Sequence, residues 1–289
     1  MRLLAISDLH LGSPVNRDAL VALPDFSEDW LIVAGDVAES LRRVGEGFAA
    51  LRRRFAKVIW VPGNHELWAV GEEAELRGEA RYQALVELAR SHGVLTPEDP
   101  FAVWTGAGGP VRIVPLFTLY DYSFAPPGMG PDQAVAWAQA DDIWPVDEVR
   151  LYPDPYLSRD AWCRALVATS LRRLEALEPG LPNLLVSHWP LREELVRIPR
   201  VPRFAPWCGT RATADWPRRF NALACVHGHL HVRERRWLDG VRYEEVSLGY
   251  PRQWQPERGM AAYLRQVLPL EGGGLDGIGP PHAPVTPPS

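Results

Sequence analysis

Three histidines fall within five positions in His227-Gly228-His229-Leu230-His231, in a chain with eight histidines in all. Alone, the cluster is open to three readings: one chelating patch, a chance surface grouping, or part of a site whose other members lie far away in sequence. Candidates for those members are present. Asp8 and His10, Asp36, Asn64 and His65, and His188 each stand directly after a short apolar run, as the histidine cluster does. Carboxylate, carboxamide and imidazole groups without thiolate suit Mn, Fe or Zn in a catalytic setting rather than a structural zinc site. The donors outnumber the needs of one ion, which points to two. Two ions about 3.5–4 Å apart that share an anionic ligand activate water and clamp phosphate oxygens. The expected chemistry is phosphoester hydrolysis.

The elements that must position these groups are short. Leu3–Ile6, Trp30–Ala34, Val58–Val61, Val111–Val114, Leu184–Val186 and Ala222–Val226 are runs rich in Val, Ile and Leu, and read as buried strands. Helical spacing of apolar residues predicts helices over 42–55 (Val44, Phe48, Leu51, Phe55) and 74–91 (Leu76, Ala80, Ala84, Leu85, Leu88). A third helix starts at an N-cap Ser158, carries Trp162, Leu166, Ser170, Leu174 and Leu177 on one stripe, and stops at Pro179-Gly180. Strands alternating with helices predict a layered α/β fold, in which loops at strand carboxyl ends converge on a ligand. Gly35, Gly63 and Gly228 allow sharp turns there. Residues 120–157 are rich in aromatics and proline with little periodicity, and read as an insertion or cap over one face, or equally as a packed surface loop. The Gly/Pro-rich tail, 271–289, is expected to be disordered, which discounts His282. His92, at a helix end, reads as a charge near the helix dipole rather than a ligand.

Composition narrows the function classes. The 46% hydrophobic and 23% charged content fits a globular domain, and the net charge of −5 provides no basic field for nucleic acid. The basic runs at 52–54 and 233–236 read as solvated faces. Cys163, Cys208 and Cys225 form neither a disulfide framework nor a CxxC zinc site, which predicts a reducing compartment. Asp8 arrives before any leading apolar stretch reaches signal-peptide length, and no run reaches membrane-spanning length. A cytoplasmic protein with neither nucleic acid nor membrane as partner is expected.

Asp8-Leu9-His10, Gly35-Asp36-Val37-Ala38-Glu39, Gly63-Asn64-His65-Glu66, His188 and Gly228-His229-Leu230-His231 together resemble the ordered signature of the calcineurin-like metallophosphoesterases, over residues 3 to about 250. The resemblance implies an α/β fold, a four-layer α-β-β-α sandwich of two mixed sheets, as one domain over 1–270 with the cap-like insertion at 120–157. It implies one metal on Asp8, His10, Asp36 and His231, and a second on Asp36, Asn64, His188 and His229, with Asp36 bridging. The two ions would be divalent or trivalent, Mn and/or Fe, with Zn compatible. His65 would face the phosphate and stabilise or protonate the leaving oxygen. His227 would be a packing residue or a support behind the ligands.

Stretches partly outside those motifs, among them YDYSF, RDAWC, WCGTRATADW and DGVRYEEVSLGYPR, are similar to the phosphopantetheinyl hydrolase branch of that family. This implies removal of 4′-phosphopantetheine from a serine of holo-acyl carrier protein, which would be substrate and partner. A carrier protein is acidic, so Arg197, Arg200 and Arg203 are candidates for a basic rim. Tyr120, Tyr122, Trp207 and Trp216 are candidates for lining a groove for the arm; the alternative is that the arginines are a solvated edge and the aromatics are core. The rival readings are a phosphodiesterase or phosphatase for a small nucleotide, a nuclease, and a non-catalytic interaction module on the same fold. The module reading predicts lost ligands, and this chain has lost none.

Overall fold

The structure, a computed structural model, describes residues 1–270; the expected tail at 271–289 lies outside the described residues. The first half alternates β1 (Leu3–Ile6), α1 (Pro14–Val21), β2 (Phe26–Val33), α2 (Leu41–Arg52), β3 (Phe55–Trp60), the single turn α3 (Asn64–Leu67) and α4 (Gly78–Ser91). There follow β4 (Val103–Trp104), β5 (Val111–Pro115), α5 (Pro131–Gln139), α6 (Asp147–Arg150), α7 (Arg159–Glu175) and β6 (Asn183–Val186). The chain then adds α8 (Trp216–Arg219), β7 (Ala222–His227), β8 (Arg235–Leu238), β9 (Val241–Glu245) and β10 (Arg265–Leu268).

The strands form two mixed sheets. One has the order β10-β1-β2-β3, in which β1, β2 and β3 run parallel and β10 antiparallel. The other has the order β4-β5-β6-β7-β9-β8, with a parallel centre and antiparallel edges at β4 and β8. Alternation along each strand explains the layers. Leu3, Ala5, Ile32 and Ile59 meet Ile113, Leu184, Val186 and Val226 between the sheets. Leu4, Ile6, Leu31, Val33, Val58 and Trp60 face the other way, onto Val44, Phe48 and Leu51 of α2 and Leu85, Val86 and Ala89 of α4. Val114, Leu185, Cys225 and Tyr243 pack outward on Leu174 of α7 and Trp216 of α8. Strands buried on both faces read as continuous apolar runs, which is why they stand out in the sequence. Each fully buried side chain of the size of Phe48 or Leu51 contributes about 1.5–3 kcal/mol. The result is the expected four-layer α-β-β-α sandwich.

Two boundaries differ from expectation. Phe55 continues the apolar spacing of α2 but opens β3, where its ring stacks on Phe26 of β2 at 5.1 Å. Arg54 ends the helix by donating to the carbonyls of Val21, Leu23 and Ala50. The helix expected from 74 begins at Gly78, whose left-handed φ of 54° breaks any continuation from Leu76. Ser158 does cap α7, its hydroxyl accepting from the Ala161 amide at 3.3 Å. Residues 120–157 contain two helices that their spacing did not reveal, α5 and α6, with Ala134, Ala138 and Leu151 buried against the helix-side core. Cys163, Cys208 and Cys225 are free and buried, and no helix among the described residues is long and apolar enough to cross a membrane.

Candidate metal centre

Every expected ligand follows the carboxyl end of a parallel strand: Asp8 and His10 after β1, Asp36 after β2, Asn64 and His65 after β3, His188 after β6, and His229 and His231 after β7. Asp8, His10, Asp36, His229 and His231 all have left-handed backbones, with φ of 54°, 42°, 56°, 72° and 55°. This conformation is uncommon outside glycine and costs on the order of 1–3 kcal/mol per residue, so its concentration here marks a functional site. It turns the chain back over the strand ends, and the turned loops are bonded together. The amides of Asp8, His10 and Leu11 donate to the carbonyls of Gly35, Asp36 and Val37 at 2.9, 3.0 and 2.8 Å. At Gly228 a Cβ would strike the Ser7 hydroxyl and the Asp8 carboxylate, so only glycine lets β7 approach β1 this closely.

The donor atoms fall into two groups on either side of Asp36. In the first, His231 Nε2 lies 2.9 Å from Asp8 Oδ1 and 3.3 Å from His10 Nε2, and His10 Nε2 lies 4.0 Å from Asp36 Oδ2. In the second, His188 Nε2 lies 3.6 Å from Asp36 Oδ1, 3.2 Å from Asn64 Oδ1 and 3.1 Å from His229 Nδ1. His188 Nδ1 donates to the Ala34 carbonyl at 2.8 Å, so Nε2 is the nitrogen with the lone pair. Lone pairs of His188 and His229 and a carboxamide oxygen thus converge on one point, an arrangement that a cation satisfies. Asp8, Asp36 and His188, and separately Asp8, His10 and His231, present ligand atoms within 4.8 Å of one another. The residues fit a metal pair.

Electrostatics support the fit. Burial and the nearby charges of Asp8 and Glu66 push the Asp36 carboxyl well above the usual carboxylate range. Burial opposes ionisation of Asp8 too, yet its contact with His231 and the charges of His188 and His10 hold it well below that range. Burial pulls His10 and His229 far down, keeping them neutral, the form that ligates. Two carboxylates and several neutral imidazoles in one buried pocket gain from added positive charge.

A surrounding set of partners orients these groups. Asp8 Oδ2 accepts from the hydroxyls of Ser7 and Ser247 at 2.6 and 2.7 Å, leaving Oδ1 for the cluster. Asn64 Nδ2 donates to Asp147 Oδ1 at 2.9 Å, which turns Asn64 Oδ1 inward. Gln253 Oε1 lies 2.8 Å from His231 Nδ1. Glu66, fully buried, accepts from the amides of Asp36, Val37 and Gly63 and from the Trp60 indole, tying the β2 and β3 loops together. The His65 ring lies against Trp68, tilted by 33° with centroids 3.7 Å apart, and places Nδ1 3.1 Å from Glu39 Oε1. That contact holds Glu39 below its usual range against the effect of burial, so the carboxylate accepts and Nδ1 donates. His65 Nε2 then faces Asp36 Oδ2 at 3.8 Å and the Tyr250 hydroxyl at 3.5 Å. Tyr250 also stacks on His10 at 4.3 Å. Sequence reasoning missed Glu39, Tyr250, Gln253 and Asp147. Glu39 and Tyr250 lie inside quoted motif stretches, whereas Asp147 has no spacing signal at all.

The expected groove aromatics are placed otherwise. Tyr120, Tyr122, Trp207 and Trp216 are buried, Tyr120 and Trp207 completely. Tyr122 and Trp207 both donate to Glu148 Oε1, at 2.8 and 2.7 Å, and Tyr120 packs edge-on against Tyr122. They form packed structure under α6 and not a groove wall; Trp216 lies on the outer face of the second sheet. Arg203 is half-buried and occupied, donating to the Trp137 carbonyl at 2.8 Å and pairing with Asp141 at 3.5 Å. Arg197 and Arg200 are exposed, with no hydrogen-bond or ion-pair partner among the described residues. His227 is buried, with no hydrogen-bond partner for its Nδ1 among the described residues.

A family profile described as calcineurin-like phosphoesterase matches residues 1–233. The chain is 50% identical over 268 residues to the [acyl-carrier-protein] phosphodiesterase PptH of Mycobacterium tuberculosis, covering 92% of this chain and 82% of that protein. Its fold superposes on the crystal structure of the phosphopantetheinyl hydrolase PptH from Mycobacterium tuberculosis with a TM-score of 0.87, at 50% identity, covering 93% of this chain and 96% of the other. With the ordered motifs at the strand ends and the profile matching most of its length, the chain belongs to the calcineurin-like phosphoesterase family.

Proposed function

We propose that this chain is a metal-dependent phosphodiesterase that removes 4′-phosphopantetheine from the serine of holo-acyl carrier protein. The observation that carries the reaction class is the position of Asp36, whose Oδ2 faces His10 while its Oδ1 faces His188. Likeness to PptH, whose name states that substrate, supports the specificity. Asp8, His10, His231 and Asp36 would hold one ion; Asp36, Asn64, His188 and His229 would hold the other. The donor set suits Mn or Fe, with Zn also compatible. When bound, such ions supply positive charge against the phosphoryl oxygens and acidify water.

The chain's own residues do the remainder. His65, held by Glu39 through Nδ1, presents Nε2 where the departing serine oxygen needs a proton. Water oxygen bonds to phosphorus and gives up one proton to solvent, the bond from phosphorus to the serine oxygen breaks, and that oxygen takes up the proton from His65, which solvent then replaces. Phosphopantetheine leaves as a phosphomonoester and the carrier regains its hydroxyl. Arg197 and Arg200 serve as cationic contacts for the acidic carrier. Three free buried cysteines favour a reducing compartment, the cytoplasm.

The test is incubation of Mn- or Fe-loaded protein with holo-carrier protein, read by intact mass. Loss of the phosphopantetheine mass from the carrier, with its appearance in the small-molecule fraction, is expected. An unchanged carrier beside cleavage of a small nucleotide diester would overturn the substrate and leave the reaction class.

A further inference from the structure

An open groove of about 550 Å³ is lined by none of the candidate metal ligands. Val196, Ile198, Pro199, Pro202 and Ala205 give it apolar walls, and Arg197 and Glu234 are its charged lining residues. The volume falls within the range of small-molecule sites, about 300–1,000 Å³. The wall of the groove is continuous with packing that reaches the ligand loop. Leu230, between His229 and His231, forms a buried cluster with Phe124 and Cys208 against which Val196, Ile198, Phe204 and Ala205 pack, and the Phe204 ring stacks on His229 with centroids 5.8 Å apart.

We propose that this groove binds the pantetheine arm of the substrate, a neutral, branched chain bearing two amides; the identity of the arm rests on the preceding reading. The lining selects for that chemistry in three ways. No aromatic ring lines the groove, so a nucleobase would find no stacking partner. One carboxylate and one guanidinium leave no net charge, which disfavours a second phosphate and suits amides, whose N–H donates to Glu234 and whose carbonyl accepts from Arg197. The apolar walls take the branched methyl groups, burying area that water would otherwise cover. Arg197 has no other partner among the described residues, and exposed Arg200 stands nearby on the same segment. The segment thus combines a neutral slot for the arm with cationic charge for an acidic carrier.

The experiment titrates pantetheine, which lacks the phosphate and so isolates the arm, into the full metal-loaded chain by calorimetry. Two variants are compared: Ala205→Phe, which fills the groove, and Ile198→Ala, which strips one wall. Kinetics on holo-carrier protein and on bis(p-nitrophenyl) phosphate accompany the titration. Pantetheine is expected to bind the unaltered chain and to weaken about tenfold or more in Ala205→Phe. The ratio of kcat/KM for carrier to that for the small diester falls in step, by about tenfold, and Ile198→Ala moves both readouts in the same direction. Absence of pantetheine binding, or equal affinity in all three proteins, overturns the groove assignment. Should the unaltered chain cleave no carrier yet bind pantetheine in a manner abolished by Ala205→Phe, the proposed function fails and the groove stands. Carrier cleavage with no response in either folded variant has the opposite meaning.

Discussion

Asp36 faces His10 through Oδ2 and His188 through Oδ1, so in the proposed reading its carboxylate would share charge between both ion positions. The Asp36→Asn variant is therefore expected to lose at least one ion and essentially all turnover, read by metal stoichiometry and rate together; a fully metallated, active variant contradicts the sharing. His65 faces Asp36 Oδ2 from 3.8 Å and offers a ligand atom within 4.8 Å of those of His10 and Asp36, but its contacts with Glu39 and Trp68 support the reading of a proton donor rather than a ligand. The His65→Ala variant should keep both ions while kcat falls about 10²–10⁴-fold, the usual worth of a positioned proton donor. Loss of metal in that variant would mean His65 is a ligand. His227 gives a pH signature. Burial and the nearby His188 push its imidazole from the ordinary 6.5 down to about 3. Between those values the unfolded chain binds a proton that the folded chain refuses, so stability falls as pH drops from 6.5 to 3. The loss is on the order of a few kcal/mol at the acid end. Replacing His227 with Phe should flatten the acid slope of denaturant-derived stability, and an unaltered slope would show the imidazole titrating freely in the fold.

At the scale of elements, α6 matters beyond its four residues. Asp147, only 2% exposed, accepts from Asn64 Nδ2 and from the Trp68 indole, so a helix inside residues 120–157 orients one ligand and the aromatic under His65. Asp147→Ala frees the Asn64 amide to flip, and should weaken the ion on the His188 side about 10–100-fold while sparing the other. Metal titration followed by mass spectrometry separates the two; equal loss of both ions would point to general unfolding instead. Much of this layer was legible in advance. Strands buried on both faces announce themselves as apolar runs, and the ligands stand immediately after them. The Asn64–Asp147 pair was not legible, because its members lie 83 residues apart and no period connects them. Nor was the fate of Phe55, whose apolar spacing serves equally as the last residue of a helix and the first of a strand.

Across the whole molecule, the candidate centre is supplied by both sheets: Asp8, His10, Asp36 and Asn64 from one, His188, His229 and His231 from the other. Bound metal would bridge the two sheets at one edge and relieve the repulsion between buried carboxylates. Metal present at about 100 times its Kd adds about 2.7 kcal/mol. Chelation should accordingly lower Tm by roughly 5–10 °C in a domain of this size, reversed by Mn, in differential scanning calorimetry. A Tm indifferent to chelator would mean that no ion joins the sheets. The sequence alone determined the layered architecture and the chemistry available at the strand ends, since local periodicity and residue type are properties of short stretches. Tertiary structure decided which imidazole nitrogen faces inward, which carboxylates stand behind Asn64 and His65, and that Tyr120, Tyr122 and Trp207 fill packed interior while residues 196–205 border the open groove. An aromatic side chain has the same character whether it meets solvent or core, and only the packing of distant segments against it determines which.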